Sequence, residues 1–126
     1  MNNDNNTGFC EVKMKLPSLN DYINLCRGNK FSAAGMKKKL EKDIGWFLNR
    51  LPRFENPITI EFHWVEDNKR RDFDNIAFAK KFILDAMVKA GKLKDDNRRY
   101  VQGFTDSFEY GKEAMVKVIV KEMKEG

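Results

Sequence analysis

Two short segments that lie about one helix apart each carry a pair of aspartates. Asp72 and Asp74 stand in residues 71–75, and Asp95 and Asp96 open a second polar segment. Carboxylates that converge raise one another's pKa and resist joint ionisation unless a cation compensates their charge. Oxygen ligands without His or Cys select Mg²⁺ or Mn²⁺. If short connections bring the two segments together, the sequence predicts three carboxylates around a divalent metal ion.

Each segment also has a purely structural explanation. Asp74, at a strand-to-helix turn, can cap the helix, and the aspartates can form ion pairs with Arg70 and Arg71. The Asp-Asp-Asn run at residues 95–97 is ordinary turn chemistry. Either segment alone is therefore ambiguous, and the metal hypothesis depends on their convergence.

A lysine is expected beside these carboxylates. Lys81 follows Asp74 by seven residues, which is near two helical turns, so both should lie on one helix face. Lys80 is rotated well away and is the second candidate. A metal that lowers the pKa of a bound water, with a lysine that stabilises charge growing on phosphorus, suits phosphodiester hydrolysis. Three neighbouring cations are then expected to position the DNA backbone: Lys69, Arg70 and Arg71.

Hydrophobic patterning predicts the elements that position these residues. Alternating hydrophobicity indicates four strands, over residues 10–16, 58–65, 100–110 and 113–123. Helical spacing indicates two main helices, over residues 32–51 and from 73 or 74 to 90. Ser32 is the expected N-cap of the first helix, residues 17–31 a long loop, and residues 1–9 a flexible arm. The order predicts an α+β fold: a single domain, residues 10–126, with a mixed sheet of about four strands packed with the two helices.

The positive charge of the chain is concentrated around the first predicted helix. Residues 30–53 carry seven cations and two anions, so the formal net charge of +5 lies in this segment. A polyanion such as nucleic acid is attracted to such a surface, because each neutralised phosphate releases condensed counterions. Lys37 and Lys38 are expected to contact DNA there, although a solvated lysine-rich helix face explains the same run.

Composition excludes several other classes of protein. No run approaches the ~18 apolar residues of a membrane span, and the polar, Asn-rich start of the chain lacks the pattern of a secretory signal. Cys10 and Cys26 have no spacing typical of a disulfide scaffold or a zinc site. These features predict a cytoplasmic protein with reduced thiols and no membrane partner.

The ordered motifs resemble those of the RusA-type Holliday-junction resolvases, metal-dependent endodeoxyribonucleases common in phages and prophages. The similarity covers most of the domain in five short segments: Pro17-Ser18-Leu19-Asn20, Arg71-Asp72-Phe73-Asp74-Asn75, Asp85-Ala86-Met87, Lys89-Ala90-Gly91 and Asp95-Asp96. The resemblance implies a site that holds Mg²⁺ or Mn²⁺ on three essential aspartates, Asp72, Asp74 and Asp96, with Asp95 in support. It also implies a homodimer with two active sites that makes paired nicks in four-way DNA junctions and leaves 5′-phosphates.

The resemblance places the catalytic lysine less directly. In the family this lysine follows the Asp-Asn pair more closely, and between Asn75 and Asp85 this chain is about one turn longer than the best-known member. Counted back from Asp85 the lysine is Lys81, whereas counted from Asn75 no lysine matches. The helical-face argument also selects Lys81. Asn20, in the first motif, joins the expected DNA contacts.

Three other hypotheses remain open. A non-catalytic nucleic-acid-binding protein would use helix 32–51 for affinity, with the aspartates only capping and pairing. A nuclease with the same chemistry would instead cut flaps, replication forks or other branched DNA. A small structural phage protein would use the apolar helix 73–90 as an oligomer seam. The homodimer expectation relies on the same helix as its interface.

Overall fold

The computed structural model describes residues 7–123. The elements follow in the order β1 (Thr7–Val12), α1 (Leu19–Gly28), α2 (Lys30–Phe47), a short 3₁₀ helix (Leu48–Arg50), β2 (Ile58–Glu66), α3 (Phe73–Ala77), α4 (Lys80–Lys89), β3 (Val101–Tyr110) and β4 (Met115–Glu122). The four strands form one sheet in the order β1-β4-β2-β3. β4 pairs antiparallel with both β1 and β2, whereas β2 and β3 are parallel. The predicted α+β domain with a mixed four-stranded sheet is confirmed.

The core lies between one face of the sheet and the helices α2 and α4. In β2 the alternate residues Ile58, Ile60, Phe62 and Trp64 are buried, as the alternation predicts for a half-buried strand. The α4 residues of this core are Phe82, Ile83, Leu84, Ala86 and Met87. These apolar side chains are thus buried within the chain itself and are not free for a second subunit, and the homodimer stays a prediction. No helix within residues 7–123 is both long and apolar enough to span a lipid bilayer.

The predicted loop over residues 17–31 is wrong, because most of it is helix α1. Ser18 is its N-cap: the Ser18 hydroxyl oxygen accepts a hydrogen bond from the Asp21 N–H at 3.1 Å. The Asp21 carboxylate in turn accepts one from the Ser18 N–H at 3.0 Å. This reciprocal capping box satisfies two backbone donors that the helix start leaves without partners. Turn-forming residue types thus concealed a helix start.

Two other boundaries differ from their predicted positions. The N-cap of α2 is Asn29, whose side chain accepts hydrogen bonds from the Phe31 and Ser32 N–H groups, so Ser32 lies inside the helix. β1 begins at Thr7, within the predicted arm, and ends at Val12 rather than at residue 16. Residues 1–6 of that arm lie outside the described part of the chain.

The predicted continuous helix from residue 73 or 74 to residue 90 is two helices. The chain tightens at Phe78 and Ala79, where the Ala79 N–H donates to the Ile76 carbonyl and the Lys81 N–H to the Phe78 carbonyl, both at 3.1 Å. These bonds span three residues, as in a 3₁₀ turn, and they change the rotation of α4 relative to α3. Ideal helical spacing therefore cannot be carried from Asp74 to Lys81.

The capping box predicts unequal effects of two serine substitutions. Ser18→Ala should lower the free energy of unfolding by about 1 kcal/mol, because the first turn of α1 loses its side-chain acceptor. Ser32→Ala is the matched control and should cost nothing, since Ser32 caps no helix and Ala has the higher helix propensity. Urea unfolding followed by circular dichroism measures both. An equal or larger loss in Ser32→Ala would contradict the assignment of the caps.

Candidate active site

Asp72 and Asp74 stand at the start of α3, a short loop after the end of β2. Asp72 is the N-cap residue, but it contributes only its backbone carbonyl, which accepts from the Ile76 N–H at 3.1 Å. Its side chain makes no capping hydrogen bond. Among the described residues, the Asp74 carboxylate accepts from the neighbouring Asn75 N–H alone, at 3.0 Å. Both aspartate side chains are exposed.

The neighbouring arginines do not neutralise these two carboxylates. Arg71 donates to the Leu16 carbonyl and to the Asp21 carboxylate, each at 2.8 Å. Within residues 7–123, neither Asp72 nor Asp74 forms an ion pair with a lysine, arginine or histidine. The structural explanation was that these aspartates cap the helix and pair with arginines. The Asp72 side chain does not cap the helix, and neither aspartate pairs with Arg70 or Arg71. Two exposed carboxylates two residues apart remain available to a cation.

The N-terminal motif lies against this segment. The Asn20 N–H donates to the Asn75 side-chain oxygen at 3.2 Å, and Arg71 reaches the capping box of α1 through Asp21. The two motifs are more than 50 residues apart in the sequence. The Asn75 side chain therefore joins the two motifs in the fold through the Asn20 backbone, and the Asn20 side chain is exposed beside it.

Lys81 and Asp96 are brought together, as the sequence predicts. The Lys81 ammonium lies 2.8 Å from the Asp96 carboxylate and 3.1 Å from that of Asp85, one turn further along α4. The ion pair with Asp96, followed by that with Asp85, raises the pKa of Lys81. The ammonium of Lys81 correspondingly lowers the pKa of Asp96. Both groups are thus charged at neutral pH.

Asp85 was given no role in the sequence interpretation, yet it connects this pair to the rest of the molecule. Its carboxylate also lies 3.2 Å from the Lys37 ammonium on α2, which in turn lies 3.6 Å from the buried Glu41. Glu41 also pairs with Lys89. We refer to Glu41, Lys37, Asp85, Lys81, Asp96 and Lys89 as the ion-pair chain. Asp85 follows Lys81 by four residues, and this spacing was the sequence signal for the ion pair between them.

Lys80 belongs to a different environment, as its rotation away from Lys81 predicts. Its ammonium lies 2.6 Å from the Asp106 carboxylate on β3 and 3.9 Å from the centre of the Phe104 ring. Asp106 also accepts from the indole N–H of Trp64, at 2.9 Å. Adjacent lysines thus pair with different aspartates, Asp96 and Asp106.

A three-carboxylate metal site is not formed in this conformation. Within residues 7–123, no group of three or more His, Cys, Asp or Glu side chains is arranged to hold a metal ion. The oxygen donors of Asp72 and Asp74 suit a hard cation chemically, whereas the third predicted ligand, Asp96, is paired with Lys81. The meeting of Asp96 with Asp72 and Asp74 around a metal stays a prediction.

The six predicted DNA contacts fall into two groups. Lys37 and Arg71 are half-buried and occupied by ion pairs. The other four have exposed side chains without an ion-pair partner among the described residues: Asn20, Lys38, Lys69 and Arg70. The Lys69 ammonium lies 5.1 Å from the centre of the Tyr110 ring. This second group is the one whose charges and hydrogen-bonding groups are free for a ligand.

Glu66, the last residue of β2, is a buried acid that sequence reasoning missed. One of its carboxylate oxygens is buried without a hydrogen-bond partner among the described atoms. Burial raises the pKa of Glu66, and the nearby charges of Arg71 and Lys15 only partly oppose this effect. The predicted strand ends at residue 65, so Glu66 was given no role in the sequence interpretation.

Comparison of the sequence with protein-family models and with curated proteins gives no match. The description of this site therefore depends on its own geometry.

The Lys81–Asp96 ion pair predicts a pH-dependent contribution to stability. Because the pKa of Asp96 is held below its ordinary value of 3.8, the contribution is complete above 3.8 and is lost as pH falls through the lowered pKa. Asp96→Asn should therefore be less stable than wild type at neutral pH and equally stable in strong acid. Urea unfolding at several pH values measures this difference. Asp72→Asn is the control, since the exposed Asp72 side chain forms no capping bond and no ion pair among the described residues; the same pH-dependent loss there would contradict the assignment.

Glu66 predicts the opposite sign. Because the pKa of Glu66 is raised in the folded state, its contribution to stability is complete below the ordinary pKa of 4.5 and is lost as pH rises through the raised pKa. Glu66→Gln should therefore raise the free energy of unfolding by on the order of 1 kcal/mol at neutral pH, and have little effect below pH 4.5. Glu61→Gln, on the exposed face of β2, should change little at either pH. A destabilised Glu66→Gln at neutral pH is the contrary result in the same urea series.

Proposed function

We infer that this chain is a metal-dependent endodeoxyribonuclease of the RusA type, which cuts branched DNA and resolves four-way junctions by paired phosphodiester hydrolysis. One observation carries the proposal. Asp72 and Asp74 expose their carboxylates without a capping bond from Asp72 or a cationic partner to either, although arginines stand one and two residues before Asp72. Arg71 is held by the Leu16 carbonyl and by Asp21, so the two acids keep no cationic partner among the described residues, which suits a cation site better than a structural one.

The residues around these aspartates suit phosphoryl chemistry. Mg²⁺ or Mn²⁺, when bound, would supply charge neutralisation and a water of lowered pKa, and its ligands would be Asp72, Asp74 and Asp96. Asp96 and Asp85 keep Lys81 protonated by raising its pKa, so Lys81 acts as a fixed positive charge for a phosphate rather than as a base. For Asp96 to join the other two ligands, Lys81 must exchange this carboxylate for the phosphate of the substrate.

Two of the cations available to DNA lie close to the two aspartates in the sequence, and a third lies on α2. Lys69 and Arg70 are exposed just before Asp72, and Lys38 is exposed on α2. Each phosphate that they neutralise releases counterions, so binding should weaken with rising salt concentration. These residues would position the backbone and would not read its sequence.

We also propose that the active form is a homodimer in the cytoplasm. A four-way junction has near two-fold symmetry, and two coordinated cuts require two sites related by that symmetry. Since the apolar residues of α4 are buried within the chain, the interface would have to lie on another surface. The free thiols of Cys10 and Cys26 fit a reducing compartment.

A cleavage assay tests the proposal. The chain is incubated with a synthetic four-way junction, a flap and a linear duplex, each with Mg²⁺ or with a chelator, and the products are separated on a denaturing gel. We expect symmetric cuts in the junction that need Mg²⁺, vanish in Asp72→Asn, and are at least about a hundredfold slower in Lys81→Met, the size of effect of losing one charge-stabilising group.

The controls for this assay are substitutions of the same type elsewhere. Asp43→Asn on α2 and Lys121→Met on β4 remove exposed charges far in sequence from the site and should leave the rate unchanged. Cuts only in the flap would keep the chemistry and change the substrate. Metal-dependent cutting that persists in Asp72→Asn, or no cutting of any branched DNA, would overturn the proposal.

A second candidate function is a non-catalytic nucleic-acid-binding protein. The observation that favours it is the ion pair of Asp96 with Lys81, which gives Asp96 a structural partner. It predicts that the junction is bound but never cut, and that Asp72→Asn binds it as wild type does. A mobility-shift assay on the same substrates distinguishes the two functions.

A further inference from the structure

The edge strand β3 carries a line of aromatic side chains. It pairs only with β2, so its other edge has no neighbouring strand in the described sheet. Phe104, Phe108 and Tyr110 are separated by even numbers of residues and therefore share one face of the sheet. Their partners in the parallel register are Ile60, Trp64 and Glu66, which are buried. The aromatic line thus lies on the face that packs against the helices, at the margin of that packing.

Phe73 joins this line from the candidate active site. It stands between Asp72 and Asp74, and its ring stacks on that of Phe108 with a centroid distance of 4.1 Å and an interplanar angle of 7°. Phe73 is nevertheless 53% exposed, and Phe104 and Tyr110 are 52% and 48% exposed. We refer to Phe73, Phe104, Phe108 and Tyr110 as the aromatic row. Several large apolar rings left at a surface together indicate a binding site rather than a core.

Cations accompany the aromatic row. The Lys80 ammonium lies 3.9 Å from the centre of the Phe104 ring, and that of Lys69 lies 5.1 Å from the centre of the Tyr110 ring. At the two ends of β3 the flanking turns expose further positive side chains: Arg98, Arg99 and Lys112. Lys80 is neutralised by Asp106, whereas the others form no ion pair among the described residues. Exposed rings surrounded by unpaired cations suit a nucleic acid, which presents both aromatic bases and a negatively charged backbone.

We propose that the aromatic row is a stacking platform for unpaired DNA bases, so that the chain selects DNA with unstacked bases next to its candidate active site. Alternate residues of a strand are about 6.6 Å apart, as Phe108 and Tyr110 are, whereas Phe104 lies about 13 Å before Phe108, with Asp106 between them. The exposed rings therefore offer separate stacking positions along one strand. Stacking on aromatic side chains is sequence-tolerant, because every base has a π-face, and the flanking cations track the backbone.

This inference deepens the proposed function and rests on it for its biological meaning. Duplex DNA buries its base faces within the stack, whereas a branch point or a single-stranded segment exposes them. Because Phe73 lies between two proposed metal ligands, a base stacked on it would bring the adjoining phosphates close to Asp72 and Asp74. The platform would thus distinguish branched from linear DNA without any contact to base edges.

The test compares two single strands of equal length and charge. Fluorescence anisotropy is measured with labelled oligothymidine and with an abasic oligonucleotide, both in a metal chelator so that no cleavage occurs. Stacking contributes about 1–3 kcal/mol per base, so the abasic strand should bind wild type about tenfold or more weakly. The double variant Phe73→Leu, Phe104→Leu should lose most of this preference. Phe9→Leu, an exposed phenylalanine on the opposite edge strand, is the control and should retain it.

Every outcome of this test bears on the platform. Equal binding of the two strands by wild type overturns it without reference to any variant, and so does an unchanged preference in the double variant. Sedimentation of the same samples covers the other occupant: a dimer lost in the double variant, with base preference intact, would make the row a subunit interface and refute the proposal. Because no metal is present, failure here leaves the nuclease proposal standing, and failure to cleave leaves this one standing.

Discussion

The position of the candidate site depends on a set of paired charges that begins at a buried carboxylate and extends to the surface. Glu41 is almost fully buried on α2 and is compensated by Lys37 and Lys89, and the same Lys37 contacts Asp85 on α4. A charge removed from water is stable only with its partner, so α2, α4 and the 95–96 turn are held in one arrangement. Lys81 and Asp96 form the outer end of the ion-pair chain.

A second contact fixes the other half of the site. Arg71 fastens the start of α3 to the segment before α1 and to its capping box, and Asn75 accepts from the Asn20 backbone. Arg71 is consequently not available to neutralise Asp72 or Asp74. The stacking of Phe73 on Phe108 then joins the same segment to the edge strand β3. Because Arg71 is held by Leu16 and Asp21, the carboxylates of Asp72 and Asp74 stay exposed beside the Phe73 ring.

The sequence predicted those features that depend on local periodicity. The alternation in β2 is confirmed, since the strand period decides it. The pocket predicted for Lys81 contained Asp72 and Asp74 as well as Asp96; the structure pairs Lys81 with Asp96, and the convergence of all three acids stays a prediction. The helix α1 was missed because Ser18 and Asp21 were counted as turn residues rather than as a capping box. The parallel pairing of β3 with β2, which places Phe108 under Phe73, depends on contacts between distant segments. No local pattern encodes it.

The central claim is that Asp72, Asp74 and Asp96 hold one divalent ion, and paramagnetic broadening by Mn²⁺ tests it most directly. In a ¹⁵N-labelled sample, small amounts of Mn²⁺ broaden the amide signals of residues near the bound ion. The account predicts that residues 72–75 and 95–97 lose intensity together, and that Mg²⁺ restores both. Loss of intensity in one segment without the other would contradict it. So would broadening that affects the whole protein equally and favours neither segment.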